Sequence, residues 1–351
     1  MSFDRTTLPY GVFSVDGGPR RIGVAVEDGV LDLAAHLGPE FEAPSLNGFL
    51  AKGRAHWTTV RQQVQGLLDQ PLLQDVSMHL PIEVADYVDF YASEQHATNL
   101  GKMFRPDGEA LLPNWKRLPV GYHGRAGTVV VSGTDISRPQ GLTLPGPEYR
   151  VSAKLDVEVE LGYVVGTPST LGTPVATGDF ADHVFGVVLL NDWSARDIQS
   201  YEYVPLGPFL GKSFATSISA WVVPLEALDR VPAPPQDPPV AAYLQTTEDW
   251  ALDLTFELAR NGEVVSRPPY KGMYWTAPQM LAHLTANGAS LRTGDLFGSG
   301  TVSGDQANER GSFIELSWNT EFLADGDLVT IRARSASGAY LGEVSGTILP
   351  A

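Results

Sequence analysis

The run Leu155-Asp-Val-Glu-Val-Glu-Leu161 alternates apolar and acidic residues with a period of two. Successive side chains on a β-strand point to opposite faces, so this period predicts a strand. Leu155, Val157, Val159 and Leu161 then form a core face. Glu158 and Glu160 share the other face as near neighbours. Adjacent carboxylates repel unless a cation lies between them. The segment reads either as an exposed strand with a solvated acidic side or as half of a cation site.

The surrounding chain is strand-rich and punctuated by 36 Gly and 26 Pro. Phe13–Val15 leads into Asp16-Gly-Gly18, Arg21–Val26 into Glu27-Asp-Gly29, and Val30–Leu33 follows, a spacing that predicts hairpins. A helix is expected over Ala55–Leu68, with Trp57, Val60, Val64 and Leu67 as its apolar stripe. Leu80-Pro81 marks a domain boundary. Asn261-Gly262 between Leu252–Arg260 and Glu263–Ser266 is a strong hairpin signal. A further helix, Ala277–Ala286, is closed by Asn287-Gly288. Strands do not alternate with helices, so a mixed or mainly antiparallel β-roll fits better than a doubly wound parallel sheet. Pro232–Pro239 reads as a surface loop.

With 351 residues the chain can hold one large domain with an appendage, or two domains. It has no cysteine, which excludes disulfides, thiolate catalysis and Cys-ligated metals. The N-terminus lacks a signal-peptide pattern and no apolar stretch is long enough to span a membrane, so a cytoplasmic location is expected. The net charge of −17 argues against nucleic-acid and anionic-membrane partners. An anionic substrate would need cations concentrated in its pocket. No Gly-rich phosphate loop follows an expected strand, so no organic cofactor is anticipated.

Two further segments carry chemistry. The apolar run Val184–Leu190 predicts a buried strand that ends at Asp192. If Ser194 caps a helix, Arg196, Gln199 and Tyr203 fall on one of its faces; a solvated helix face is the plain alternative. Upstream, Asp89 and Tyr91 precede Ser93, which could cap a short helix with His96 in its first turn. A lone His is usually structural or exposed.

Longer stretches now become recognisable. Asp89-Phe-Tyr-Ala-Ser-Glu-Gln-His-Ala-Thr-Asn99, Leu118-Pro-Val-Gly-Tyr-His-Gly-Arg125, Val131-Ser-Gly-Thr134 and Leu155–Glu160 come first. Asn191-Asp-Trp-Ser-Ala-Arg-Asp-Ile-Gln199, Glu202-Tyr-Val-Pro-Leu-Gly-Pro-Phe-Leu-Gly-Lys-Ser213, Met273-Tyr-Trp275, Ser299-Gly-Thr-Val-Ser-Gly304 and Glu315-Leu-Ser-Trp318 follow. In this order they resemble the fumarylacetoacetate hydrolase family from about residue 80 onward. The first 80 residues match less clearly.

The resemblance implies a mainly β chain with some α. A small N-terminal β-barrel-like domain would span residues 1–80, and a large mixed β-roll catalytic domain residues 81–351. It implies hydrolysis of a carbon–carbon bond of fumarylacetoacetate to fumarate and acetoacetate, in tyrosine and phenylalanine catabolism, by a homodimer. The implied ligands of a divalent cation, Ca²⁺ or Mg²⁺, are Asp89, Glu158, Glu160 and Asp192, accompanied by Lys212 and Thr216. Oxygen donors without Cys or His suit such a cation better than zinc. His96 is implied as general base, Glu315 as the acid that orients it, and Arg196, Gln199 and Lys212 as oxyanion partners. Tyr91, Arg105, Tyr122, Gln199, Tyr203 and Thr301 match substrate contacts. Ala215 departs from the family's Gly, and Glu94 stands where a basic residue is expected. An acylpyruvate hydrolase or an oxaloacetate decarboxylase of the same superfamily is the alternative reading, and a non-enzymatic protein of the same fold is a third.

Overall fold

A computed structural model describes residues 2–143, 146–246, 248 and 250–351. Its frame is a 12-stranded sheet. Along the main path the order is Gly29–Asp32, Arg21–Val26, Tyr10–Ser14, Trp221–Pro224, Val184–Asp192, Val159–Val165, Leu296–Gly298, Tyr87–Phe90 and Gly121–His123. Thr216–Ile218 pairs with Val184–Asp192 and runs parallel to Val129–Val131. A five-stranded sheet carries Glu263–Ser266, Leu254–Arg260, Leu328–Ser335, Tyr340–Leu349 and Ile136–Ser137 in that order. Most pairs are antiparallel, as a β-roll requires, and the structure is mainly β with some helix.

The run Val184–Leu190 is wholly apolar apart from Gly186 because both faces of its strand are buried. Val187 and Leu189 enter the main core, which also holds Phe256, Ile331 and Val344 of the five-stranded sheet. Val188 and Leu190 enter a second core with Val12, Val24 and Leu31 of the N-terminal segment. The N-terminal strands close no barrel among the described residues. Tyr10–Ser14 instead hydrogen-bonds to Trp221–Pro224 and extends the main sheet, so its edge is covered by pairing rather than by closure.

Several local expectations hold. The helix Arg54–Gln65 buries Trp57, Val60 and Val64 as expected, but it ends before Leu67, which is only partly buried in the turn that follows. Ala277–Thr285 is opened by a capping box between Thr276 and Gln279. Asn261 and Gly262 both adopt positive φ, 53° and 85°, between Leu254–Arg260 and Glu263–Ser266, the backbone of a tight hairpin turn.

Two expectations need correction. The acidic run is not one strand: Leu155–Asp156 and Val159–Val165 are separate, with Val157 and Glu158 between them. Leu155–Asp156 pairs with Ser194–Ala195 rather than continuing in the main sheet. Ser194 accordingly caps nothing. Its hydroxyl donates to the Asp192 carbonyl at 3.0 Å, and the helix Arg196–Glu202 starts after Ala195 without a side-chain cap.

Candidate active site and metal centre

Asp89, Glu160 and Asp192 come from strands that meet at one end of the main sheet. Between the strands bearing Asp89 and Glu160 runs Leu296–Gly298, and Gly298 is paired with Asp89. A Cβ at Gly298 would lie 2.6 Å from Asp89 Oδ1 and 2.7 Å from Glu160 Oε2, so only glycine leaves room for both carboxylates. Glu158, in the strand break, joins them. Ligand oxygens of the four acids lie within 4.8 Å of one another, and all four side chains are buried. The reading of Glu158 and Glu160 as a solvated acidic face is therefore excluded.

The charges in this cluster are partly compensated. Lys212 Nζ lies 2.5 Å from Glu158 Oε2 and 2.6 Å from Asp192 Oδ2. Arg196 Nη2 lies 2.7 Å from Glu158 Oε1. Burial pushes the Glu158 carboxyl up, but Arg196, Lys212 and His96 outweigh it and hold the group below its ordinary range. Asp89 and Glu160 go the other way. Burial, reinforced by neighbouring carboxylates, drives both well above the ordinary range. Asp89 Oδ1, Glu160 Oε1 and Asp192 Oδ1 have no hydrogen-bond partner among the described residues. Tyr122 lies 2.7 Å from Asp192 Oδ2 and 3.0 Å from Asp89 Oδ2, yet its hydroxyl has one proton to give. Three orphaned oxygens and an excess of buried negative charge fit one hard divalent cation. Lys212 stands here as a counter-charge, its own pKa raised by Asp192 and Glu158 against the effect of burial. Thr216 is buried and sits opposite Asp192 in the strand register, outside the acidic set.

His96 is brought to the cluster by the helix Glu94–Phe104. Ser93 caps that helix, accepting from His96 N at 3.2 Å. His96 Nδ1 lies 2.6 Å from Glu315 Oε2. The Glu315 carboxylate also accepts from Ser303, Ser312 and Asn99. Burial raises its pKa, but His96 and these donors hold it below the ordinary range, so it is an ionised acceptor. In the neutral imidazole Nδ1 must then carry the proton and Nε2 the free lone pair. Nε2 lies 3.8 Å from Glu158 Oε1, beyond hydrogen-bond reach, on the wall of a cavity of about 960 Å³.

That cavity also collects Tyr91, Arg105, Tyr122, Gln199, Tyr203 and Thr301. Arg105 donates to the carbonyls of Glu109 and Ala110 and has no carboxylate partner among the described residues. Thr301 is buried with its hydroxyl unpartnered. Gln199 accepts from Arg196 at 3.1 Å. Tyr203 follows the end of its helix and is exposed at the cavity mouth.

Asp156 is a residue the sequence reading passed over. Its buried carboxylate accepts from Arg196 Nε at 2.8 Å and from the backbone N–H groups of Phe313 and Ile314. It thus ties Arg196 to the short helix that carries Glu315. Only its place in the acidic alternation could have drawn attention to it.

Known proteins place this geometry. Residues 86–349 match the model of the fumarylacetoacetate (FAA) hydrolase C-terminal region, and residues 6–84 that of the fumarylacetoacetase N-terminal region. Fumarylacetoacetases from Rattus norvegicus and Homo sapiens are each 45% identical to the chain; the matches cover 99% and 98% of it and 96% and 95% of the relatives. The fumarylacetoacetase of Caenorhabditis elegans is 44% identical, over 99% of this chain and 97% of that one. Among solved structures, fumarylacetoacetate hydrolase from Exiguobacterium antarcticum superposes with a TM-score of 0.64 at 20% identity, covering 98% of this chain and 100% of that one. Maleylpyruvate hydrolase from Sphingobium sp. SYK-6, solved with manganese(II) and pyruvate, superposes at 0.60 with 17% identity, covering 98% and 99%. Matched over nearly its whole length, the chain belongs to the fumarylacetoacetate hydrolase family.

Proposed function

We infer that the chain is a hydrolase that splits a carbon–carbon bond of fumarylacetoacetate, giving fumarate and acetoacetate. The buried cluster of Asp89, Glu158, Glu160 and Asp192 beside the His96–Glu315 pair is the observation that carries this reading. Ca²⁺ or Mg²⁺ is the cation proposed for the cluster, with Lys212 and Thr216 beside it. When bound, it would supply a Lewis acid for the diketone oxygens. The chain's own groups do the rest. His96 Nε2 takes a proton from water while Glu315 holds the ring through Nδ1. The water oxygen adds to the ketone carbonyl of the fumaryl half, next to the bond that breaks. Arg196, Gln199 and Lys212 face the resulting oxyanion. As the bond breaks, its electron pair leaves with the acetoacetate half and takes up the proton that His96 removed from water. Arg105 holds one terminal carboxylate, and Tyr91, Tyr122, Tyr203 and Thr301 shape the pocket around the diketone.

The same reading divides the chain near residue 80 into an N-terminal and a catalytic domain. Family matches that meet between residues 84 and 86 support the division. It also takes the enzyme to be a cytoplasmic homodimer of tyrosine and phenylalanine breakdown, acting without organic cofactor on a small anionic diketone. No helix among the described residues is long and apolar enough to cross a membrane. Acylpyruvate hydrolysis and oxaloacetate decarboxylation have weaker support, from likeness of fold alone.

The test is to mix purified protein with fumarylacetoacetate and follow the loss of diketone absorbance with and without Ca²⁺ or Mg²⁺. Cation-dependent loss with release of fumarate is expected. An unchanged absorbance with either cation present would reject the reading. Light scattering on the eluting protein checks the dimer.

A further inference from the structure

This inference rests on the substrate class proposed above, a diketone with a carboxylate at each end. One end has a partner in Arg105, and the other has none so far. Behind Tyr122 lies a second, smaller chamber of about 240 Å³. Tyr122, His123, Phe209 and Lys212 line both it and the main cavity, so the two adjoin at Tyr122 and Lys212, which reach the acidic cluster. Arg125 lines only the side chamber, and no carboxylate does.

The cations of the two spaces fall into two classes. Arg196 is held by Asp156 and Glu158, and Lys212 by Glu158 and Asp192. These two are already ion-paired within the site. Arg105 and Arg125 have no acidic partner among the described residues. Arg105 has only backbone acceptors. Arg125 stands over the Phe209 ring at 5.7 Å, a contact that leaves the guanidinium fork free for a carboxylate.

Its backbone is not free to wander. A Cβ on neighbouring Gly124 would lie 2.2 Å from the ring of Tyr87, so this turn is pressed against the strand that carries Asp89. Thr128 N and Oγ1 both donate to the Arg125 carbonyl. In a protein of net charge −17, an arginine with no acidic partner among the described residues, on the wall of a chamber that adjoins the main cavity, is a local attractor for an anion.

We propose that Arg125 is a second carboxylate anchor, holding the terminal carboxylate that Arg105 does not. The substrate then spans the metal cluster with one guanidinium at each end. His123 and Ser213 on the chamber wall offer further hydrogen-bond partners to the same group.

A cycle of enzyme and substrate variants tests this. Wild type, Arg125→Ala and Arg125→Lys are assayed on fumarylacetoacetate and on two diketone analogues, each lacking one terminal carboxylate. Arg125→Ala should raise KM for the two-carboxylate substrate by on the order of tenfold or more, the loss of one charge-assisted contact. The loss should be at least several-fold smaller with one of the analogues, the one without the carboxylate that Arg125 holds. Arg105→Ala should show the opposite preference. Arg125→Lys should recover part of the affinity, since it keeps the charge but not the fork. Circular dichroism confirms that each variant is folded. Equal losses on all three substrates, or none on any, overturn the anchor while wild-type cleavage leaves the proposed function standing. Failure of wild type to cleave the two-carboxylate diketone removes the proposed function and the anchor together.

Discussion

His96 owes its assigned role to what Glu315 lacks. An ionised carboxylate that already accepts from Ser303, Ser312 and Asn99 can only accept from the imidazole as well, so in the neutral ring the proton sits on Nδ1 and the free lone pair on Nε2. His96→Ala should therefore lower kcat by about 10²-fold or more, the usual worth of a positioned base. Cation affinity, read by calorimetry with Ca²⁺, should stay close to that of wild type. Arg105→Ala should instead act mainly on KM, because a remote carboxylate is held equally in ground and transition states. Steady-state kinetics of the two variants side by side separates the roles. A KM-only effect of His96→Ala would strip it of the part of base. Individual residues were legible in the sequence where motif and chemistry coincide, as at Glu158, Glu160 and His96. Asp156 was not, because its importance comes from partners 40 and 157 residues away.

At the scale of elements, short-range rules read well and long-range pairing did not. Ser93 was legible as a cap, and Asn261-Gly262 as a turn, because both depend on neighbours in the chain. Ser194 looked like a cap by the same rule, but its segment was claimed by pairing with Leu155–Asp156. That pairing also splits the acidic run that alternation alone predicts as one strand. Nor could alternation reveal that the N-terminal strands would extend the main sheet instead of closing on themselves. The strand Leu296–Gly298 has a sharp consequence at this scale. Gly298→Ala would thrust a methyl group between Asp89 and Glu160. Calcium titration of the folded variant should show binding weakened by at least tenfold, with circular dichroism unchanged. Undiminished binding would mean that the cation is held elsewhere. Ser93→Ala should cost about 1 kcal/mol of stability in urea unfolding and lower kcat through misplacement of His96.

For the whole molecule, buried acids set how stability depends on pH. Asp295, half-buried after a turn next to the N-terminal segment, has its pKa pushed up to about 6 by burial. The folded state holds this proton more tightly than the unfolded chain does. The associated stability is complete below the unfolded value near 3.8 and is lost as pH rises through about 6. Asp295→Asn should remove on the order of 2 kcal/mol of the fall between pH 4.5 and 7. Urea midpoints of wild type and variant at pH 4.5 and 7 measure it, and parallel pH profiles would contradict it. Cation should stabilise the whole protein as well, by about 2.7 kcal/mol at a hundredfold excess over its dissociation constant. A melting temperature indifferent to Ca²⁺ and Mg²⁺ would argue against binding to the folded state. The strand order bears on biosynthesis too. Residues 296–298 lie between the strands bearing Glu160 and Asp89, although they follow both by more than a hundred positions. A growing polypeptide therefore has all four carboxylates out of the ribosome long before it has the strand that brings Asp89 beside Glu160. Such non-local pairing is slow to form. Until it does, Asp89 remains apart from the other three acids, and the four-carboxylate cluster is complete only as the last third of the chain folds in.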